Sequence, residues 1–190
     1  MDEGKLIFIQ EFPGGWLNFK KSVHNCLMYV STGDKIDTEL KKWFGGKFGV
    51  HDKTSEDGIT ILKKLSLIER KDTRIQLTPK GLEWVNLTDN NKYDQFLFEI
   101  LNSTYAGISE ILDILKKNGP LELKEIMKQS GTISGKDWKT NTQNTQIRRR
   151  TQLLINLRKI ERHGYKYILY RLQKQRSKTF AEKLRDLYKI

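Results

Sequence analysis

The sequence contains one cysteine, three prolines and three histidines in 190 residues. A single cysteine excludes an internal disulfide and a cysteine-rich zinc site, and it points to a reducing, intracellular setting. Cys26 lies in the apolar run Cys26-Leu27-Met28-Tyr29-Val30, which suits a buried structural thiol. His24, His51 and His163 are scattered without metal-ligand spacing, and no glycine-rich phosphate loop with a lysine is present. No stretch approaches the roughly 20 apolar residues of a membrane helix, and the start, Met1-Asp2-Glu3-Gly4-Lys5, has no signal-peptide pattern. The tripeptide Glu122-Leu123-Lys124 has the Glu-x-Lys spacing of metal-dependent nucleases, but no Pro-Asp precedes it, and its surroundings read as a short helix rather than a sheet. The expectation is a protein without membrane contact, cofactor, metal or catalytic residues; a nuclease activity would reside in a partner or another domain.

Acidic residues are scarce at one end. The chain is 37% hydrophobic and 31% charged with a net charge of +12, an ordinary balance for a folded, helix-rich protein. Residues 1–91 hold 14 Lys/Arg against 13 Asp/Glu, residues 92–135 hold 5 against 6, and residues 136–190 hold 16 against 4. The excess is therefore confined to the last segment. A uniform excess would be a solubility device, whereas a confined one reads as a face for a polyanion.

Apolar spacing and turn residues divide the chain. Residues 1–18 form an N-terminal arm, with Leu6-Ile7-Phe8-Ile9 as a short strand and Pro13-Gly14-Gly15 as a turn. A first unit covers 19–91. It begins with a helix from Phe19 to about Tyr29, closed by Ser31-Thr32-Gly33. A second helix starts near Asp37 as its cap and stops at Gly45-Gly46. A third runs from about Thr54-Ser55 through Ile59, Ile61, Leu62 and Leu65, interrupted by Gly58. Alternation in Ile75-Gln76-Leu77-Thr78 predicts a strand beyond a turn, and Thr78 caps a further helix with Pro79 at its first position.

The run Leu62-Lys63-Lys64-Leu65-Ser66-Leu67-Ile68-Glu69-Arg70, followed by Ile75-Gln76-Leu77-Thr78-Pro79-Lys80-Gly81, resembles the end of the recognition helix and the wing of winged-helix proteins. Beyond the polar linker Thr88-Asp89-Asn90-Asn91-Lys92 the same order recurs in a second, basic unit over 92–172. Its predicted helices are Tyr93–Leu101, Ser109–Lys117 and Leu121–Gln129; a polar segment, Thr132–Asn144, leads to a helix from about Thr145 to Arg158. Two strands follow around a His163-Gly164 turn. Residues 173–190 form a basic helix candidate with Phe180, Leu184 and Leu187 on one side. The expected fold class is mainly α with small β wings, two winged-helix units in tandem plus a C-terminal helix. In outline this is similar to target-recognition regions of restriction endonucleases and to plasmid replication initiators.

The winged-helix resemblance implies that a third helix lies in the major groove of double-stranded DNA. With Ile147, Thr151, Leu154 and the stem of Arg158 along a buried seam, Thr145, Arg148, Arg149, Gln152 and Asn156 project outward. Arg reads guanine with two bonds, and Gln and Asn do so with adenine. Arg162, His163 and Lys166 of the second wing, with Lys139, are expected at the backbone or minor groove, while Tyr165 and Tyr167 pack the strands. The first unit is expected to bind DNA weakly or to contact another protein, with Lys47, His51, Lys53 and Lys64 as the phosphate neighbours, since Glu56 and Asp57 at its helix start repel phosphate, although acids also accept from cytosine. The expected function is sequence-specific duplex binding as the recognition part of a restriction-type enzyme or complex, with a nuclease or other protein subunit as partner. The alternatives are a transcriptional regulator or replication initiator of the same fold, and a protein-interaction module. The expected location is cytoplasmic, on the nucleoid, or nuclear in a eukaryote.

Overall fold

A computed structural model describes residues 4–170. The chain is mainly helical, with two small antiparallel three-stranded sheets. It divides into two compact units, Met1–Ala106 and Gly107–Ile190. The expected helix over 173–190 lies outside the described residues.

The first unit is built from α1 (Phe19–Ser31), β1 (Lys35–Ile36), α2 (Asp37–Phe48), α3 (Asp52–Lys64), β2 (Ile68–Lys71), β3 (Arg74–Leu77), α4 (Pro79–Asn86) and α5 (Asn90–Thr104). Its sheet order is β1-β3-β2. The apolar positions that set the helical period converge: Val23, Cys26 and Leu27 of α1, Leu40 and Phe44 of α2, and Ile61 and Leu62 of α3 are all fully buried. Burial raises the Cys26 thiol pKa far above its ordinary range, leaving an inert structural thiol. The N-terminal arm packs on this unit, as its composition predicts, but its strand reduces to one parallel bridge between Leu6 and Tyr105. Phe12 anchors it, edge-on to Phe19 at 4.7 Å and to Phe44 at 6.3 Å.

Three glycines expected to break helices do not. α2 crosses Gly45-Gly46 and ends at Phe48, because burying Phe44 and packing Phe48 edge-on to Trp43 and tilted against Phe44 outweighs about 1 kcal/mol of helix propensity lost per glycine. Gly58 sits inside an unbroken α3, where a β-carbon would lie 2.7 Å from Pro13 of the arm. It is a close-approach residue, not an interruption. Gly81 is a second one, since its β-carbon would fall 2.1 Å from the Leu67 carbonyl oxygen. Here the expected cap is present: the Gly81 N–H donates to Thr78 Oγ1 at 3.1 Å, and Thr78 Oγ1 donates to the Ser66 carbonyl at 2.5 Å. Asp37 is not the cap of α2. Ile36 takes that position in extended conformation, its N–H donating to the Glu39 carboxylate, while the Asp37 carboxylate pairs with Arg70 and Lys63.

The second unit repeats the order with α6 (Ile108–Asn118), β4 (Leu121–Glu122), α7 (Leu123–Gln129), a single turn α8 (Gly131–Ser134), α9 (Thr140–Asn156), β5 (Ile160–His163) and β6 (Lys166–Leu169). Its sheet order, β4-β6-β5, is that of the first. The boundary differs from the expected 91/92. Residues 92–104, assigned from sequence to the second unit, belong to α5, which packs on α1 of the first, with Leu97 and Leu101 fully buried and Asp94 paired to Lys20 at 2.6 Å. The polar linker marks a turn within a unit.

The repetition extends to individual bonds. Ile68↔Leu77 opens one hairpin and Ile160↔Leu169 the other, with Ile-Glu-Arg following in both at positions 68–70 and 160–162. Ser66 and Arg158, two residues beyond α3 and α9, both adopt left-handed backbone, with φ of 55° and 52°. The N–H of Ile36 donates to Glu39 and that of Glu122 to Glu125. The two units are internal copies, related residue by residue through helix end and hairpin.

Candidate functional site

The copy relationship allows the two third helices to be compared position by position. Counting back from the shared hairpin register, Arg148 corresponds to Glu56, Arg149 to Asp57, Gln152 to Thr60, and Thr145 to Lys53. At two of these places the second unit therefore carries a cation where the first carries an acid, whereas at Thr145 the cation, Lys53, is on the first.

On α9 the buried side consists of Gln146, Ile147, Arg150, Thr151, Leu153 and Leu154. Thr145 and Arg148 are exposed, and Arg149, Gln152 and Asn156 are half-buried, so the predicted outward face is present as one helical stripe. Among the described residues no acid pairs with Arg148, Lys139 or Lys166. The helix starts at Thr140 rather than Thr145, which adds Asn141 to the stripe and makes Lys139 its N-cap residue. An ammonium beside the positive end of a 17-residue helix is intrinsically unfavourable and becomes favourable when an anion settles there. Arg158 does not line the seam, since α9 ends at Asn156 and Arg158 is exposed in left-handed backbone beyond Leu157.

Arg150 has no exposed surface. Its Nη1 donates to the Gln146 carbonyl at 3.1 Å and to Gln146 Oε1 at 3.2 Å. Of the run Arg148-Arg149-Arg150, this member supports the fold.

The β5–β6 hairpin turns at Gly164-Tyr165, one residue later than predicted, because His163 is paired with Lys166. Arg162 Nε closes the turn by donating to the Gly164 carbonyl at 2.9 Å, and His163 lies 3.2 Å from Glu161. The two tyrosines part company. Tyr167 is 7% exposed and packs as expected, whereas Tyr165 is 80% exposed at the tip, flanked by exposed Arg162, His163 and Lys166. Strand alternation does not carry through the turn, so sequence reasoning missed Tyr165.

The first unit's counterpart is internally neutralised. Lys41 holds Glu56 at 2.5 Å, and Lys53 and Gln10 hold Asp57 at 3.3 and 3.1 Å. The hydrogen bond and charge of Lys41 keep the Glu56 carboxyl below its ordinary range. Lys64 donates to Gln10 at 3.1 Å, and Lys47 and His51 stand at the end of α2 and before α3. Lys53 and Lys64 therefore belong to a different unit from the α9 stripe and are engaged within it.

Comparison with protein-family models, with curated proteins and with solved structures finds no match. The chemistry rests on the chain's own residues. Glu122 lies on β4, not in a helix, and Lys124 Nζ is 3.5 Å from its carboxylate. Among the described residues there is no group of three or more His, Cys, Asp or Glu placed to hold a metal ion, and no helix is long and apolar enough to cross a membrane.

Proposed function

We propose that the two units are winged helices and that the second binds double-stranded DNA, with α9 in the major groove and the β5–β6 hairpin at the neighbouring backbone or minor groove. The observation that carries this reading is the charge reversal between copies: Arg148 and Arg149 replace Glu56 and Asp57 on the same scaffold. Arg148 is exposed and pairs with no acid among the described residues, so its charge is open to a partner outside the fold. Arg148 and Gln152 lie one turn apart on the outward stripe, a spacing that addresses successive base pairs. Lys139, Arg162 and Lys166 suit phosphates, which fix register without reading sequence. The proposal includes, through the likeness of architecture, service as the recognition part of a restriction-type enzyme.

Selection of bound sequences from randomised duplex tests it. The whole chain is expected to enrich a short motif, and Arg148→Ala is expected to cost about 1–3 kcal/mol on that motif and to relax one or two base positions. Lys166→Ala is expected to weaken all sequences alike. If Arg148→Ala also weakens all sequences alike, α9 is a phosphate clamp and the base-reading half of the proposal falls.

A further inference from the structure

The tip of the β5–β6 hairpin carries an aromatic ring that the fold does not use. Tyr165 is the most exposed of the large hydrophobic side chains among the described residues, and neither a ring contact nor a hydrogen bond holds it there. Its mount is nonetheless fixed. His163 pairs with Lys166 across the two-residue turn, Gly164 supplies left-handed backbone at φ 59°, Arg162 Nε donates to the Gly164 carbonyl at 2.9 Å, and β6 is also paired with β4 along its other edge. In the same register the first hairpin turns on Asp72-Thr73. The second copy thus holds a ring at its tip where the first holds a threonine beside an acid.

Positive charge flanks that ring on both sides. Directly opposed residues of an antiparallel pair share a face, so His163 and Lys166 lie on one side of the hairpin, and Arg162 lies on the other with Tyr167. Glu161 offsets His163 at 3.2 Å, whereas Lys166 and Arg162 pair with no acid among the described residues. A ring with a cation on each side matches a groove bounded by two phosphate strands, and the minor groove, about 6 Å wide, admits a two-residue tip. Side chains inserted there between adjacent bases unstack one step and bend the duplex. We propose that Tyr165 is such a wedge, with Lys166 and Arg162 toward the two backbones. This role rests on the DNA-binding reading of the second unit, and it makes the ease of opening a base step part of what the protein recognises.

Fluorescence anisotropy of the full chain at low salt, with two short duplexes of one sequence, one fully paired and one with a central T·T mismatch, tests the proposal, because a mismatched base costs least to unstack. The mismatched duplex is expected to bind about tenfold more tightly, the scale of one base–aromatic stack. Tyr165→Ala, at an exposed position, is expected to keep the circular dichroism spectrum of the parent and to lose that preference, while Tyr165→Phe retains it. The wedge is overturned, with DNA binding by the second unit left standing, if the parent binds both duplexes equally or if Tyr165→Ala weakens both by the same factor. It is also overturned if Tyr165→Phe fares no better than Tyr165→Ala, which would make the tip a hydroxyl contact to the backbone. Binding to neither duplex would overturn the wedge and the DNA-binding reading together.

Discussion

Arg150 directly follows Arg148 and Arg149 of the outward stripe, yet it is the one with no exposed surface. A buried guanidinium persists only with hydrogen bonds to offset its desolvation, and Gln146, itself fully buried one helical turn earlier, accepts two of them. Arg150→Ala removes a large buried side chain and leaves Gln146 without these donors, so it is expected to destabilise the protein by about 3 kcal/mol in urea unfolding. Arg150→Met, which refills the volume, is expected to cost about half as much. Equal, negligible effects of both would show that the buried placement carries no stability. At the hairpin, exposure separates two residues of the same type. Tyr167→Ala is expected to cost about 3 kcal/mol of stability, whereas Tyr165→Ala is expected to leave unfolding within about 0.5 kcal/mol of the parent while weakening duplex binding. A Tyr165→Ala protein that binds DNA normally would remove the tip from the interface.

At the scale of the element, the turn chemistry after the first hairpin was legible because it depends on neighbours in sequence: Thr78 caps and Pro79 opens α4. The outward stripe of α9 was legible from helical period. Features decided by distant partners were not. Nothing local shows that Pro13 lies against Gly58, that the cluster around Phe44 carries α2 through two glycines, or that Leu121-Glu122 pairs with β6 before α7 begins. The start of α9 was hidden for a different reason, since Thr140-Asn141-Thr142-Gln143-Asn144 has no apolar period and modest helix propensity. The comparison of α3 with α9 yields a test at this same scale. Replacing Glu56 and Asp57 together with arginine gives α3 the charges of its copy. If the first unit has the same docking geometry, duplex affinity of the full chain rises and the log–log salt slope steepens by about 0.9 for each added phosphate contact. An unchanged slope would show that α3 does not face DNA when the second unit is bound.

For the molecule as a whole, charge and folding divide the chain at different places. Basicity begins near residue 136, the polar linker suggests a break near residue 91, and the compact units separate between Ala106 and Gly107. The last of these is set by α5, whose Leu97 and Leu101 are fully buried and whose Tyr93 and Phe96 pack on the buried Trp84. A fragment ending at residue 91 loses this cover, leaving Trp84 and the facing side of α1 open to water. That loss is too large for a small unit, whose stability is only about 0.05–0.15 kcal/mol per residue. Residues 1–106 are therefore expected to unfold cooperatively on heating, and residues 1–91 are expected to give no cooperative transition by circular dichroism. The complementary fragment, 107–190, holds Arg148, Arg149, Gln152, Lys139 and Lys166, with a local excess of cations and no dependence on α5. It is expected to retain duplex binding with the salt slope of the whole chain, about −0.9 per phosphate contacted. If residues 1–106 bind duplex as tightly as the full chain, or if 107–190 folds yet shows no salt-dependent binding, the assignment of the interface to the second copy is wrong, and the reversed charges on α9 must answer to a different polyanion.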